Sequence, residues 1–137
     1  MIRALEISSS ALVAQRIRMD VIAGNIANAF STQRDDGVDE PFRRRVVTFE
    51  SGSPSGRGAG VHVADIFEDQ SEYRLEYDPG HPHAMQDGPQ AGYVRYPNVN
   101  LTMEYVDAVE ASRAYEANVA VLNVTRTMLN QSIELFA

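Results

Sequence analysis

The sequence contains no cysteine and no tryptophan, and all of its basic residues are arginines. Without cysteine there is no disulfide framework, no thiolate nucleophile and no Cys-ligated metal site. No stretch approaches the roughly 20 apolar residues that span a bilayer, so we expect no membrane insertion. The first 30 residues also lack the apolar run of an ordinary cleaved signal peptide.

Positive charge is scarce as well: 12 basic residues stand against 19 acidic ones, a net charge of −7 over 137 residues. Proteins that bind nucleic acid or anionic lipid need a basic surface. The composition therefore argues against both classes. With 44% apolar residues, a chain of this length supports one domain with a modest core.

Strong helix breakers are nearly absent from both ends of the chain. All 6 prolines, and every glycine except Gly24, lie between residues 30 and 100. The sequence therefore predicts a helix over residues 1–29, a short β- and loop-rich middle over residues 30–100, and a helix over residues 101–137. The predicted fold class is mainly α with a small β unit.

Apolar residues of the first segment recur every seven positions, which is typical of a helix that packs on another helix. They are Leu5, Leu12, Met19 and Ile26, with Ile22 and Ala29 beside them. The stripe is thin, because Ser8 and Gln15 occupy its companion positions. A helix with so thin an apolar face is marginal alone and needs a packing partner.

The last segment carries a longer stripe with the same spacing. It consists of Leu101, Ala108, Tyr115, Leu122, Leu129 and Phe136, and a second row holds Tyr105, Ser112, Val119 and Ile133. Asn100 is placed to cap this helix. The two ends can pack on each other, but helices about 44 and 55 Å long leave much of both stripes uncovered by a loop-rich middle. We therefore predict that the stripes are surfaces for other chains.

The middle contains three strand-like runs, at residues 45–49, 61–67 and 72–77, and a flexible Gly- and Ser-rich stretch at residues 51–56. Asp78-Pro79-Gly80 fits a tight turn with Pro at its second position and Gly at its third. These signals predict a small antiparallel β unit.

No group of residues in the sequence predicts catalysis. His81 and His83, with Asp78 and Asp87 nearby, are too few for a closed zinc site, so we expect no metal and no cofactor. A nucleophile elbow, a phosphate-binding loop and a carboxylate pair in an apolar setting are all missing. We predict that the protein is not an enzyme, and a small metal-dependent enzyme using the two histidines is the least favoured class.

One basic cluster, Arg43-Arg44-Arg45, follows the acidic residues Asp35, Asp36, Asp39 and Glu40. Such a mixture of charges is more typical of a solvated surface, with or without local pairing between the charges, than of a nucleic-acid-binding patch. A contact between subunits uses the same charges equally well, so both interpretations stay open.

Two parts of the sequence resemble the flagellar rod and hook proteins. The first comprises Ser10-Ala11-Leu12, Ala14-Gln15-Arg16, Arg18-Met19-Asp20-Val21-Ile22-Ala23 and Asn25-Ile26-Ala27-Asn28-Ala29. The second comprises Asp78-Pro79-Gly80-His81-Pro82, Gly92-Tyr93-Val94, Tyr96-Pro97-Asn98-Val99-Asn100 and Glu110-Ala111-Ser112-Arg113-Ala114-Tyr115-Glu116-Ala117-Asn118. The second part is similar to the proximal-rod members in particular. Phe30 departs from the family, which usually has a polar residue there.

The resemblance implies a structural protein of bacterial motility. Such a protein is exported by the flagellar type III apparatus without a cleaved signal peptide. It polymerises with copies of itself and with other flagellar rod proteins, in the basal-body rod that crosses the periplasm. Its terminal helices are expected to form an axial coiled-coil layer, with the short middle as a small outer β-rich unit.

The expected assembly interface combines both heptad stripes with two asparagines. It consists of Leu5, Leu12, Met19, Ile22, Asn25, Ile26, Asn28, Leu101, Tyr105, Ala108, Tyr115, Val119, Leu122, Leu129 and Ile133. Asn25 and Asn28 lie one turn apart and can bridge neighbouring helices; alternatively, Asn28 simply ends the helix in a left-handed turn. The alternative function is a soluble coiled-coil adaptor that binds a single partner and forms a stable dimer by itself.

Overall fold

Two long helices and four short strands make up the computed structural model, which describes residues 2–34, 40–53 and 58–136. In chain order the elements are α1 (Ile2–Ala27), β1 (Arg45–Ser51), β2 (Val61–Glu68), β3 (Arg74–Tyr77), β4 (Tyr93–Tyr96) and α2 (Leu101–Phe136). The predicted class, mainly α with a small β unit, is confirmed. The acidic residues Asp35, Asp36 and Asp39 and residues 54–56 of the Gly- and Ser-rich stretch lie outside the described residues.

The two helices pack against each other in antiparallel orientation. Asn25, near the end of α1, contacts Glu104 in the first turn of α2. Arg18, two turns earlier in α1, reaches Asp107 and Glu110. Contacts therefore move towards the C-terminus of α2 as they move towards the N-terminus of α1, as in an antiparallel helix pair.

The start of α2 follows the predicted capping chemistry. The side-chain oxygen of Asn100 accepts hydrogen bonds from the backbone N–H groups of Thr102, at 3.0 Å, and Met103, at 3.3 Å. These two donors lack partners within the helix, and a capping side chain satisfies them. The cap fixes where α2 begins and thus which of its residues face α1.

Strands β1 and β2 form an antiparallel hairpin that lies along α1. Arg45 pairs with Glu68 at one end and Ser51 with Val61 at the other, with a register shift after Thr48. That shift accounts for the weak alternation of apolar residues in this part of the sequence, because a bulge reverses the faces of the strand.

The far end of the hairpin touches α1 closely. The backbone N–H of Val61 donates to the Ser10 hydroxyl at 3.1 Å. Gly60 has φ +127°, and a Cβ built there falls 2.5 Å from Ser10 Oγ. Only glycine fits this position, since both the backbone conformation and the contact exclude a side chain.

Strands β3 and β4 form a second antiparallel pair, with Arg74 opposite Tyr96 and Tyr77 opposite Tyr93. The sequence predicted β3, with a start two residues too early, but missed β4. Between them, the backbone N–H of His81 donates to the carbonyl of Asp78 at 3.2 Å, which confirms the predicted turn. The β unit is therefore two separate hairpins.

The core is small and lies where α1, α2 and the strands meet. Its buried apolar residues are Ala14, Ile22, Ala29, Val94, Val99 and Ala111. Nearby, partial burial raises the pKa of Tyr73, and the guanidinium of Arg43, 4.2 Å from the ring centroid, opposes that effect. Half of the core residues are alanines, so the chain by itself buries little apolar surface.

Candidate assembly interface

Small and polar side chains line the inner faces of the two helices. Ser8 and Ala14 of α1, and Ala111 and Thr125 of α2, are all buried. The Thr125 hydroxyl donates to the carbonyl of Val121 at 2.8 Å within its own helix. Side chains of this size allow two helices to approach closely, but they contribute little apolar burial. The contact between α1 and α2 is therefore tight but weakly hydrophobic.

A buried polar cluster joins the helices to β1, and we call it the head cluster: Asn25, Arg44, Arg45 and Glu104. Glu104 has no exposed surface, and its carboxylate accepts from the guanidinium of Arg44 at 2.5 Å and from the amide of Asn25 at 3.1 Å. The Asn25 side chain also pairs with both backbone polar groups of Arg45, each at 2.9 Å. A buried carboxylate with two donors is satisfied, whereas one left alone is costly.

Further charges extend the head cluster towards solvent. Arg44 also reaches Asp107 at 3.4 Å, and Arg18 lies 3.7 Å from the same carboxylate and 3.5 Å from Glu110. The side chain of Asn98 accepts from the backbone N–H of Arg44 at 2.8 Å. Arg44 is therefore a connection within the chain, with its charge paired to Glu104 and Asp107.

The outer face of α2 carries large, exposed apolar side chains, in contrast to the small, buried ones of its inner face. Large apolar side chains there are more than half exposed: Met103, Tyr105, Val106, Val109, Val124 and Met128. Tyr105, Val106 and Val109 line an open groove of about 550 Å³, with Glu110 and Arg113 on its rim. A helix with apolar residues on both faces is typical of burial on both faces. Within the described part of the chain, no element covers this face.

The residues predicted from the heptad stripes occupy both environments. Ile22 and Asn25 are buried and face α2 or β1, whereas Tyr105 and Ile133 are 57% and 64% exposed. The rest are half-buried: Leu5, Leu12, Met19, Ile26, Asn28, Leu101, Ala108, Tyr115, Val119, Leu122 and Leu129. Most residues of the two stripes are therefore at least half-buried within the single chain, and their role in assembly stays a prediction.

Two sets of residues lie outside the predicted heptad stripes. One is the deepest row of α2, which includes Glu104, Ala111 and Thr125 and lies beside the predicted stripe. The other is the outer row that includes Val106, Val109 and Val124. The spacing of small residues on one face and valines on the other is the signal that would have found both rows.

The two asparagines have different roles. Asn25 binds groups of its own chain in the head cluster. Asn28 donates to the carbonyl of Gly24 at 2.9 Å and accepts from the Ser31 hydroxyl at 3.2 Å, so its side chain closes the end of α1. Only glycines among the described residues have positive φ, so the left-handed turn considered for Asn28 is wrong.

The histidine loop forms contacts of its own. The rings of His81 and His83 are 5.5 Å apart, and His83 Nδ1 lies 2.8 Å from the Thr32 hydroxyl. Among the described residues, no group of three or more His, Asp or Glu side chains is arranged to hold a metal ion.

Phe30, 62% exposed, lies edge-on to Tyr96 and under the guanidinium of Arg74.

Known protein families match both terminal helices. Residues 5–34 match the family described as flagella basal body rod protein, and residues 90–135 match the C-terminal family of the flagellar basal body rod proteins FlgE, FlgF and FlgG. The FlgC rod protein of Borreliella burgdorferi is 40% identical, over 96% of this chain and 94% of its own length. The chain belongs to the FlgC family of flagellar basal-body rod proteins.

Other members show the same extent of similarity. The FlgC proteins of Bacillus subtilis and Escherichia coli O157:H7 are 40% and 41% identical, over 96% and 95% of this chain and 95% and 93% of their own lengths. The chain is therefore a structural protein of the flagellar rod and not an enzyme. In the described residues, neither helix is long and apolar enough to cross a membrane.

Proposed function

We propose that this protein is a subunit of the proximal rod that is exported unfolded by the flagellar type III apparatus. It then polymerises with copies of itself and other rod proteins. It reaches the periplasmic part of the basal body without a cleaved signal peptide, and its helices join an axial coiled-coil layer. Family membership supports the location, and the exposed apolar outer face of α2 supports polymerisation.

The outer face of α2 carries the proposal because it is apolar and stays more than half exposed in the single chain. Val106, Val109 and Val124 are 56%, 52% and 59% exposed. Exposing such residues in a soluble monomer risks aggregation. In a polymer each of them becomes buried, at about 25 cal/mol per Å² of apolar surface removed from water.

The experiment replaces one of these residues by a charge. In cells that lack their own copy of the gene, Val124→Glu should abolish swimming and leave purified basal bodies without the variant, because assembly buries an unpaired carboxylate. The circular dichroism of the isolated variant should match that of the unchanged protein, since Val124 is 59% exposed in the single chain.

The matched control is Ile66→Glu, which places the same charge on a 42% exposed residue of β2. Cells with this control should swim. Normal basal bodies with Val124→Glu, or equal loss with both variants, would contradict polymerisation through the outer face of α2.

Substitutions in the predicted heptad stripes have to be interpreted differently from those on the outer face of α2. Leu122 and Met19 are half-buried within the chain. Leu122→Glu and Met19→Glu should therefore stop assembly partly by destabilising the subunit itself, which the isolated variants would show as a lowered unfolding midpoint.

A further inference from the structure

One segment of the loop between β3 and β4 is exposed along its whole length, and we call it the tip segment: residues 86–91. Both of its ends are anchored. The backbone N–H of Met85 donates to the carbonyl of Tyr93 at 2.9 Å, and that of Gly92 donates to the carbonyl of Met85 at 2.8 Å. The anchors lie outside the tip segment, so the loop is closed beneath it.

The tip segment contains Asp87 followed by Gly88. Among the residues that the structure describes, no donor or cation contacts the Asp87 carboxylate, and no acceptor binds the backbone N–H of Gly88. Gly88 has φ +89°, and a Cβ built there finds no atom within 4 Å. Glycine also has no side chain of its own to shield its nitrogen. The carboxylate and the neighbouring amide nitrogen are therefore both open to reaction.

We propose that Asp87-Gly88 is a site of spontaneous covalent modification, at which aspartate is converted to isoaspartate. The Gly88 nitrogen attacks the Cγ carbon of Asp87. An N–Cγ bond forms, the bond from Cγ to its hydroxyl oxygen breaks, and the hydroxyl leaves as water with the amide proton. The product is a five-membered succinimide ring.

Water then opens the ring in one of two ways. Breaking the new N–Cγ bond restores aspartate. Breaking the bond between the nitrogen and the former backbone carbonyl carbon gives isoaspartate, in which the main chain runs through Cγ and the other carbon becomes the free carboxylate. One water is released and one is taken up, so the mass is unchanged and water is the only other reactant.

Other aspartates in the described part of the chain lack this freedom. Asp20 and Asp107 lie inside α1 and α2, where the backbone amide of the next residue is engaged by the helix. Asp78 is followed by Pro79, which has no N–H, and its carboxylate accepts from the backbone N–H of Gly80 at 3.2 Å.

The two aspartates near the end of β2 are held as well. The carboxylate of Asp65 accepts from the backbone N–H of Ile66 at 2.8 Å, and the β-branched side chain of Ile66 crowds that nitrogen. Asp69 accepts from the backbone N–H of Ser71 at 2.9 Å and lies 4.0 Å from the guanidinium of Arg44. Asp87 thus stands apart within the described residues.

The loop can absorb the modification without loss of the fold. Isoaspartate lengthens the main chain by one carbon atom, and the added length falls between the anchors at Met85 and Gly92. Exposed loop tips tolerate such changes. Because the reaction needs no enzyme, the fraction of isoaspartate at residue 87 increases with the age of each chain.

The test follows the purified full chain during storage at neutral pH. Trypsin, which cuts after arginine, releases residues 75–95, whose aspartates are Asp78 and Asp87. An isoaspartyl methyltransferase with labelled S-adenosylmethionine marks isoaspartyl peptides. We expect the label in residues 75–95 to increase steadily with time, and at the same rate within about twofold in urea, because an exposed segment has almost no opening free energy to overcome.

Two other tryptic peptides separate this site from the rest of the chain. Residues 96–113, with Asp107 as their aspartate, should stay unlabelled in the folded chain. The sequence has another Asp-Gly pair, Asp36-Gly37, which lies outside the described residues and is released separately on residues 35–43.

The matched control variant is Asp87→Glu. It keeps the charge, but its longer side chain closes only a six-membered ring, which forms far more slowly, so the label in residues 75–95 should be lost. Asp87→Asn should react faster through the same five-membered ring, with ammonia as the leaving group. Its product is heavier than the starting amide, so mass spectrometry follows it directly.

Three outcomes would overturn the inference. Label in residues 75–95 that survives Asp87→Glu would place the reaction at another residue. Label that appears in urea but not in the folded chain would show that the fold protects Asp87. A lower unfolding midpoint of the stored chain than of the stored Asp87→Glu variant would show that the tip segment cannot absorb the change.

Discussion

The two ends of the helix pair are built in opposite ways. At the head, where α1 ends and α2 begins, Asn25 and Glu104 are almost completely buried and their side-chain polar groups all have partners. At the tail, Thr125 is the last buried residue of α2, and Leu135 and Phe136 are 85% and 92% exposed. The contrast indicates that the head holds the single chain together, while the tail gains little stability from the rest of the chain.

The largest effect is expected at the head. Glu104→Ala should lower the free energy of unfolding of the isolated chain by about 3 kcal/mol, because it leaves the Arg44 guanidinium and the Asn25 amide without their common acceptor. Urea unfolding followed by circular dichroism measures this. The matched control is Glu110→Ala, whose 65% exposed carboxylate should change stability by less than about 0.5 kcal/mol. Equal effects of the two variants would mean that the head cluster does not stabilise the subunit.

An intermediate effect is expected along the inner face. Ala111 has no exposed surface, so Ala111→Leu should force the two helices apart and cost about 2 kcal/mol. The comparison variant Ala117→Leu adds the same atoms on the exposed outer side of α2 and should leave the unfolding midpoint of the isolated chain unchanged. If Ala111→Leu were harmless, the close approach of the helices would be wrong.

Several features could be predicted from local sequence signals. The Asn100 cap, the Asp78-Pro79-Gly80 turn and the extent of both helices depend on residues close together in the chain, so local chemistry was sufficient. Strand β4 was missed because Tyr93–Tyr96 is short and pairs with β3 only across a long loop. No local pattern in the sequence specifies that pairing.

The head cluster was missed for a different physical reason. In the sequence, Glu104 is an acidic residue in the first turn of a helix, where the favourable interaction with the positive helix end needs no burial. Its burial follows from Arg44 and Asn25, which are 60 and 79 residues away in the sequence. Contacts over such distances are decided by the tertiary fold. The outer face of α2 was overlooked because one heptad stripe had already accounted for the helix.

The smallest effect is expected at the tail. Leu135→Gln should change the stability of the isolated chain by less than about 0.5 kcal/mol, because its side chain loses almost no contact. Hydrogen exchange of the isolated chain should show the reason: backbone amides of residues 129–136 should exchange far faster than those of residues 104–111. The isolated subunit should accordingly show less helix by circular dichroism than the 26 and 36 residues of α1 and α2 supply.

The same substitution distinguishes a tail that is only weakly packed from a tail that neighbouring chains bury in the rod. In basal bodies, where neighbouring chains can cover Leu135, Leu135→Gln should reduce incorporation and swimming even though it leaves the isolated chain unchanged. The control is Glu134→Gln, which alters the adjacent exposed residue without removing apolar surface and should assemble normally. A destabilised isolated subunit would place Leu135 in the fold of the single chain, and unchanged assembly would show that the tail contributes no contact in the rod.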